Sequence, residues 1–381
     1  MMRYLYIILL FTCLKGFSQD ISFISLSPNV YMNPAYAGFQ SCYDCDYHFE
    51  LHHRQQWTVT SPKALHASLF TADRNFNLTG SGISRPTNMS LGFFWLNSLE
   101  GESNYETNNF ALMSAFSSSL GSNSLQFSMA FQIGHTRIDF DDNLIFSNQI
   151  DPVLGPVIPS NNTLPLLPYR NTDLSIGFNV NSFSCSGKPS IRVPDWLEDI
   201  IRFKYYNFDF GVALHHFQSL STYSFYQDNT NNPTKLTLNF LSLLKKGNPT
   251  SILQNASFVL RKELQALQAY DATSVKNTIL TNFNLNAYNG KRSKNALNFL
   301  ITTGVSFQDF LGFDDIGDTY SGVLGIGLPS AFFQTYLLTE FPISSGYGGL
   351  TFEIKLKFNL DCAGYRVKKK GSSDCPVWYS N

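Results

Sequence analysis

The sequence predicts an all-β fold, a transmembrane outer-membrane β-barrel of about 14 antiparallel strands with long extracellular loops. Three observations predict it. The first is the stretch 350–360, Leu-Thr-Phe-Glu-Ile-Lys-Leu-Lys-Phe-Asn-Leu, apolar at every even position and polar at every odd one. Strand side chains alternate faces, so Leu350, Phe352, Ile354, Leu356, Phe358 and Leu360 meet one medium and Thr351, Glu353, Lys355, Lys357 and Asn359 meet another. A run of this length, tilted by roughly 45°, crosses the hydrocarbon of a bilayer. The charges on its polar face suit a water-filled lumen better than a packed core. The second observation is composition: 14% charged and 15% aromatic residues, with 34 Phe and 19 Tyr among 381 residues. Mean hydropathy is nonetheless close to zero, so apolar residues are interleaved with Asn, Ser, Thr and Gln, as in a barrel with a lipid-facing exterior and a polar interior. The third is that the one long apolar run is N-terminal. Arg3, the apolar residues 5–11 and Gly16-Phe17-Ser18 read as a secretory signal peptide cut after Ser18. An exported chain with strands of spanning length and no apolar helix belongs in an outer membrane.

The elements follow in order. Residues 1–18 are the signal peptide, and 19–45 form an N-terminal periplasmic or plug segment with turn-forming Ser27-Pro28-Asn29 and Asn33-Pro34. The barrel occupies 46–360. Its strands are expected at 47–57, 63–72, 89–97, 105–118, 125–133, 174–181, 206–215, 235–244, 256–263, 283–287, 297–307, 319–328, 332–341 and 350–360. The runs from Leu125 to Ile133 and from Tyr206 to His215 alternate without error. An even strand number returns both termini to the periplasmic side. The segments 137–171, 218–233, 265–277 and 308–318 then become extracellular loops, and the turns near 121 and 343 periplasmic. Five prolines between 152 and 168 make the long loop a folded lid. Pro194-Asp195-Trp196 opens a short helix on the periplasmic side. Residues 361–381 form a periplasmic C-terminal tail.

Two motifs stand out. Asn33-Pro34-Ala35-Tyr36-Ala37-Gly38 follows the signal peptide, and Arg54-Gln55-Gln56-Trp57 ends the first strand. Pro62-Lys63 then leads into Leu65-His66-Ala67-Ser68-Leu69. Weaker matches are the stretch from Asp209 to Phe217, with its Gly-hydrophobic-His pattern, and Gly348-Gly349-Leu350-Thr351-Phe352. Together they resemble the PorP/SprF family, outer-membrane proteins of the Bacteroidota type IX secretion and gliding motility system. The chain departs from that pattern in having Ser61-Pro62 where a Gly usually precedes the Pro, and in its tail. The resemblance implies a non-catalytic barrel that docks a secreted surface protein or adhesin, by its C-terminal secretion domain, and helps export or surface-attach it. Other type IX envelope components and outer-membrane lipid are the remaining implied partners. The competing reading is a diffusion channel or transporter for small or hydrophobic substrates; a soluble secreted β-sandwich is a third.

A formal net charge of −1 offers nothing to nucleic acid. No nucleophile elbow, phosphate loop or zinc-protease helix is present, so the expected chemistry is neither catalytic nor cofactor-dependent. After signal cleavage the cysteines are Cys42, Cys45, Cys185, Cys362 and Cys375, in an oxidising compartment. Cys42 and Cys45 precede the first strand, and Cys362 and Cys375 follow the last. Barrel closure gathers them at one rim, where one or two disulfides form or, alternatively, a four-thiolate zinc site. His48 and His52 share a strand face that His53 does not, so the histidines near the first strand read as lumen and surface residues and not as a metal centre. Arg54 is expected to pair with Glu50 or Glu353 and to close the pore electrostatically, and Trp57 to lie in the interfacial belt. The acidic groups Asp139, Asp141, Asp142 and Asp151, and Asp314, Asp315 and Asp318, lack calcium-loop spacing and read as solvated surface.

Overall fold

The computed structural model is a closed barrel of fourteen antiparallel strands. It describes residues 29–38, 45–56, 65–78, 87–100, 105–120, 125–139, 150–151, 155–156, 169–182, 191–192, 203, 205–223, 234–245, 253–267, 272–287, 297–311, 319–328, 333–343 and 350–362. The strands are β1 (Cys45–Gln56), β2 (Leu65–Asn77), β3 (Thr87–Glu100), β4 (Tyr105–Leu120), β5 (Leu125–Asp139), β6 (Tyr169–Asn181) and β7 (Tyr205–Tyr223). They continue as β8 (Lys235–Lys245), β9 (Leu253–Leu267), β10 (Ala272–Ala287), β11 (Leu297–Leu311), β12 (Thr319–Leu328), β13 (Phe333–Pro342) and β14 (Thr351–Cys362). Each pairs with its neighbour in sequence, and β1 closes the ring against β14 from Cys45↔Cys362 to Gln55↔Phe352. Closure gives every strand a neighbour on both sides, the condition for strands in hydrocarbon.

The register defines two ends: the terminal rim, where β1 begins and β14 stops, and the opposite rim, where β14 starts. Glu340 pairs with Thr351, so the 343–350 connection lies on the opposite rim, not with the termini as the parity reading had it. The last strand must run back toward the terminal rim, which leaves its preceding turn at the far end. The expected loops are also shorter, because β5 reaches Asp139, β6 starts at Tyr169, β7 reaches Tyr223, β9 reaches Leu267, β10 starts at Ala272 and β11 reaches Leu311. Backbone pairing carries these strands past the point where side-chain alternation ends. Between β5 and β6, Ile150–Asp151 pairs with Gly155–Pro156. The helix expected near 194, the signal peptide, Trp57, the acidic groups after Asp139 apart from Asp151, and Cys42, Cys185 and Cys375 lie outside the described residues.

The outer face is the apolar parity of the strands that alternate cleanly. Phe352, Ile354, Phe358 and Leu360 on β14, Leu337 on β13 and Ile301 on β11 are exposed. Phe49, Phe70, Phe93 and Phe110 make a row of aromatic contacts across β1 to β4, with centroids 6.5, 5.4 and 5.8 Å apart. Such cross-strand pairs contribute roughly 0.2–1 kcal/mol each. The opposite parity points inward, and there the expectation of a water-filled lumen needs correction. Two apolar clusters line facing walls: Leu241, Leu280 and Leu338 lie in one, and Leu69, Phe94 and Met113 in the other. Much of the interior is packed.

β7 is the longest strand, at 19 residues. Its pairing with β8 ends at His215↔Lys235, and its register with β6 shifts between Leu214 and Gln218. His216 adopts φ 55°, and its Nδ1 lies 2.8 Å from Asp173. Beyond this bulge, β7 pairs among the described residues with β6 alone, while β6 stays paired with β5 as far as Ile138↔Tyr169.

Candidate functional site

The site is built around residues 29–38, which occupy the barrel interior. Their order is local and compact. Asn29 accepts from the Met32 and Asn33 amides, closing a turn. Asn33 caps a 3-10 turn over Pro34–Tyr36, its side chain accepting from the Ala35 amide at 2.9 Å. Asn is a preferred cap, and Pro at the first position sacrifices an amide that has no helical partner anyway. Gly38 ends the turn at φ 68°, a conformation that any other residue would adopt under strain.

The polar groups of this motif then meet the wall. Asn33 Nδ2 donates to the Phe178 and Val212 carbonyls at 2.9 and 3.3 Å, on β6 and β7. The Tyr36 hydroxyl donates to Asp209 at 2.6 Å, and Asn179 holds the other oxygen of that carboxylate at 2.7 Å. The Gly38 amide donates to Asp73 on β2 at 2.9 Å. His215 Nε2 donates to the Met32 carbonyl at 3.0 Å. Tyr36 packs into the Leu241–Leu338 cluster, while Val30, Ala35 and Ala37 pack into the Leu69–Met113 cluster. The segment therefore bridges both walls.

Two strand glycines make the room. A Cβ on Gly177 would collide with the Asn33 side chain and come within 2.9 Å of Pro34; one on Gly211 would lie 2.9 Å from Asn33 Nδ2. Gly177→Ala should therefore displace the segment at a cost of about 1–3 kcal/mol, as overpacking does. The check is an Ala35→Cys reporter, since Ala35 is fully buried. A membrane-impermeant maleimide should leave the reporter unlabelled with Gly177 present and label it in the Gly177→Ala background. Equal protection in both would show that the segment is not held at this point.

A second part of the site is the charged seam on β13, β14 and β1. The register sets Glu50 opposite Lys357 and Arg54 opposite Glu353. Glu50 lies 3.1 Å from Lys355, 3.2 Å from Lys357 and 3.2 Å from His52. Arg54 contacts Glu340 at 2.8 Å and Glu353 at 3.5 Å. So Arg54 pairs with Glu353 as expected but not with Glu50. Four residues along a strand is about 13 Å, which puts that carboxylate beyond reach, and Glu340 from β13 takes its place. Gln56, with its amide oxygen turned inward, accepts from Arg54 Nη2 at 2.7 Å. His48 meets Asp73 at 2.9 Å, and this same carboxylate holds Gly38, so the seam and the segment share a partner. Arg54, Lys355 and Lys357 are 1%, 0% and 0% exposed. Charges so deeply buried persist only when paired and hydrogen-bonded.

Of the residues singled out from sequence, the structure brings Asn33 to Gly38 into the lumen and places Arg54 and Gln56 on its wall near the opposite rim. His53, in contrast, is exposed and bonds Ser68 at 3.0 Å. Among the described residues no cluster of His, Cys, Asp or Glu is arranged to hold a metal ion. The wall partners Asp209, Asp73 and His215 were not foreseen. Their signal was the pair of glycines interrupting polar-face positions of clean strands, since an isolated strand Gly often marks close backbone approach.

A family model described as "Type IX secretion system membrane protein PorP/SprF" matches residues 17–358. No curated protein matches the chain. Among solved structures, a Pseudomonas aeruginosa FadL homologue is similar over 89% of this chain and 96% of its own, at 11% identity and TM-score 0.41. The beta domain of the Bordetella autotransporter BrkA aligns over 83% and 99%, at 9% identity and TM-score 0.34. BamA from Haemophilus ducreyi lacking POTRA domains 1–3 aligns over 82% and 70%, at 6% identity and TM-score 0.41.

Proposed function

The chain belongs to the PorP/SprF family of type IX secretion system membrane proteins, and from that premise we propose that it is a plugged docking barrel for a secreted surface protein. The observation that carries the reading is the Asn33–Gly38 motif bonded across the lumen. A diffusion channel needs a continuous wet path, and here the interior is crossed by a segment tied to β2, β6 and β7. The buried ion pairs of the seam narrow the same interior near the opposite rim. A barrel closed in this way serves a secretion system by what it holds and not by what it conducts. The opposite rim, with the 140–168 connection and the ends of β6 and β7, is assigned to the exported client. The terminal rim faces the other envelope components.

The test is a pulldown of the tagged protein from detergent-solubilised native outer membranes, with partners identified by mass spectrometry. One large secreted protein at near-stoichiometric amounts is the expected result, and its loss on deleting the 140–168 connection would place the contact. A clean, partnerless barrel with steady conductance would overturn the docking reading in favour of a small-solute or hydrophobic-substrate channel.

A further inference from the structure

The closing seam carries a feature that neither the plug nor the ion pairs use. The first paired positions of β1 and β14 are Cys45 and Cys362, directly opposite in the antiparallel ladder. Opposed residues have Cα atoms about 4.5 or 5.5 Å apart, depending on the kind of pair. Both values fall in the window of about 4.4–6.8 Å that a disulfide spans. Directly opposed positions of an antiparallel pair share one face of the sheet. The two cysteines therefore occupy the same face at the terminal rim, in a chain whose family and signal-like N-terminus put it outside the reducing cytosol.

We propose that Cys45 and Cys362 form a disulfide that locks the barrel seam. Two thiols each lose a proton and an electron to make one S–S bond. The electron pair passes by thiol–disulfide exchange to a disulfide-bearing oxidoreductase of the exported compartment, which is left as a dithiol. The bond joins the strand pair most distant in sequence, the pairing on which closure depends. A seam locked covalently cannot part between β1 and β14, so nothing enters or leaves the barrel sideways at that point.

The experiment is peptide mapping of the native protein from outer membranes, with free thiols alkylated during lysis. Chymotryptic cleavage after Tyr43 separates Cys42 from Cys45, and cleavage after Tyr365 separates Cys362 from Cys375. The expected result is a non-reduced species joining the Cys45 and Cys362 peptides that disappears on reduction. On non-reducing denaturing gels the wild type should migrate faster than Cys45→Ser and Cys362→Ser, and those two should migrate alike. Alkylated Cys45 and Cys362, or a Cys42–Cys45 or Cys362–Cys375 link in place of the seam pair, would overturn the proposal. The mapping uses the wild-type chain, so it decides the matter even if neither variant assembles.

Discussion

Deleting residues 29–38 should turn a silent barrel into a conducting one. In planar bilayers the intact protein is expected to show no steady current, and the deletion variant frequent long openings. The argument is one of populations. Five hydrogen bonds join the segment to the wall, each contributing about 1 kcal/mol. Their sum, about 5 kcal/mol, favours the plugged state by roughly a few thousand-fold at a tenfold change per 1.4 kcal/mol. The entropy of ordering the segment offsets part of this, and burial of Val30, Ala35, Tyr36 and Ala37 adds to it. Tyr36→Phe, which removes the 2.6 Å bond to Asp209, should give brief, rare openings in the same recording. If the deletion variant folds and stays silent, the lumen is blocked by something other than this segment.

The second large effect concerns stability. Glu50→Gln should destabilise the barrel by about 3–5 kcal/mol, the usual consequence of removing one partner from a buried ion pair. Glu50 is the shared partner of Lys355 and Lys357, both fully buried. The glutamine fills the same space and leaves two ammonium groups facing a neutral amide. Urea unfolding of the barrel refolded into lipid vesicles, followed by tryptophan fluorescence, measures the change. Adding Lys357→Met should recover part of the loss, because one of the two ammonium groups facing the amide is then gone. The comparison is Arg137→Gln, whose 2.8 Å contact to Asp139 involves an arginine side chain 49% exposed. Exposed pairs are worth about 0–1 kcal/mol. Equal costs at the two sites would mean that the seam charges are solvated and not buried.

The barrel was legible where one face meets lipid throughout. β14, β5 from Leu125 to Ile133 and the middle of β7 alternate because their outer parity is apolar throughout, so side-chain order alone reveals them. Sequence shows β10 only over 283–287, since its first half, Ala-Thr-Ser-Val-Lys-Asn-Thr, offers no apolar alternation. Pairing to Gln265, Ala266 and Leu267 on one side and to Phe310 and Leu311 on the other draws it into the sheet. The face reading of His48, His52 and His53 holds for the same reason that β14 was legible. The plug is another matter. Asn33 to Gly38 has no strand period, and its meaning lies in residues more than a hundred positions away, Phe178, Asp209 and Val212. The apolar lumen clusters were hidden too. Leu241 and Leu243 face inward while Leu236, Leu238 and Phe240 carry the outward pattern, so β8 is apolar on both faces and period alone cannot assign them.

The plug has a mechanical consequence as well. Hydrogen-bonded ladders fix each strand against its neighbours but set no distance across the barrel. Tyr36 is anchored in the wall formed by β8 to β13, and Ala35 and Ala37 in the wall formed by β2 to β5. The short turn between them is thus a strut across the diameter, which resists ovalisation only while both feet are seated. Losing either foot would leave the cross-section held by the strand ladders alone.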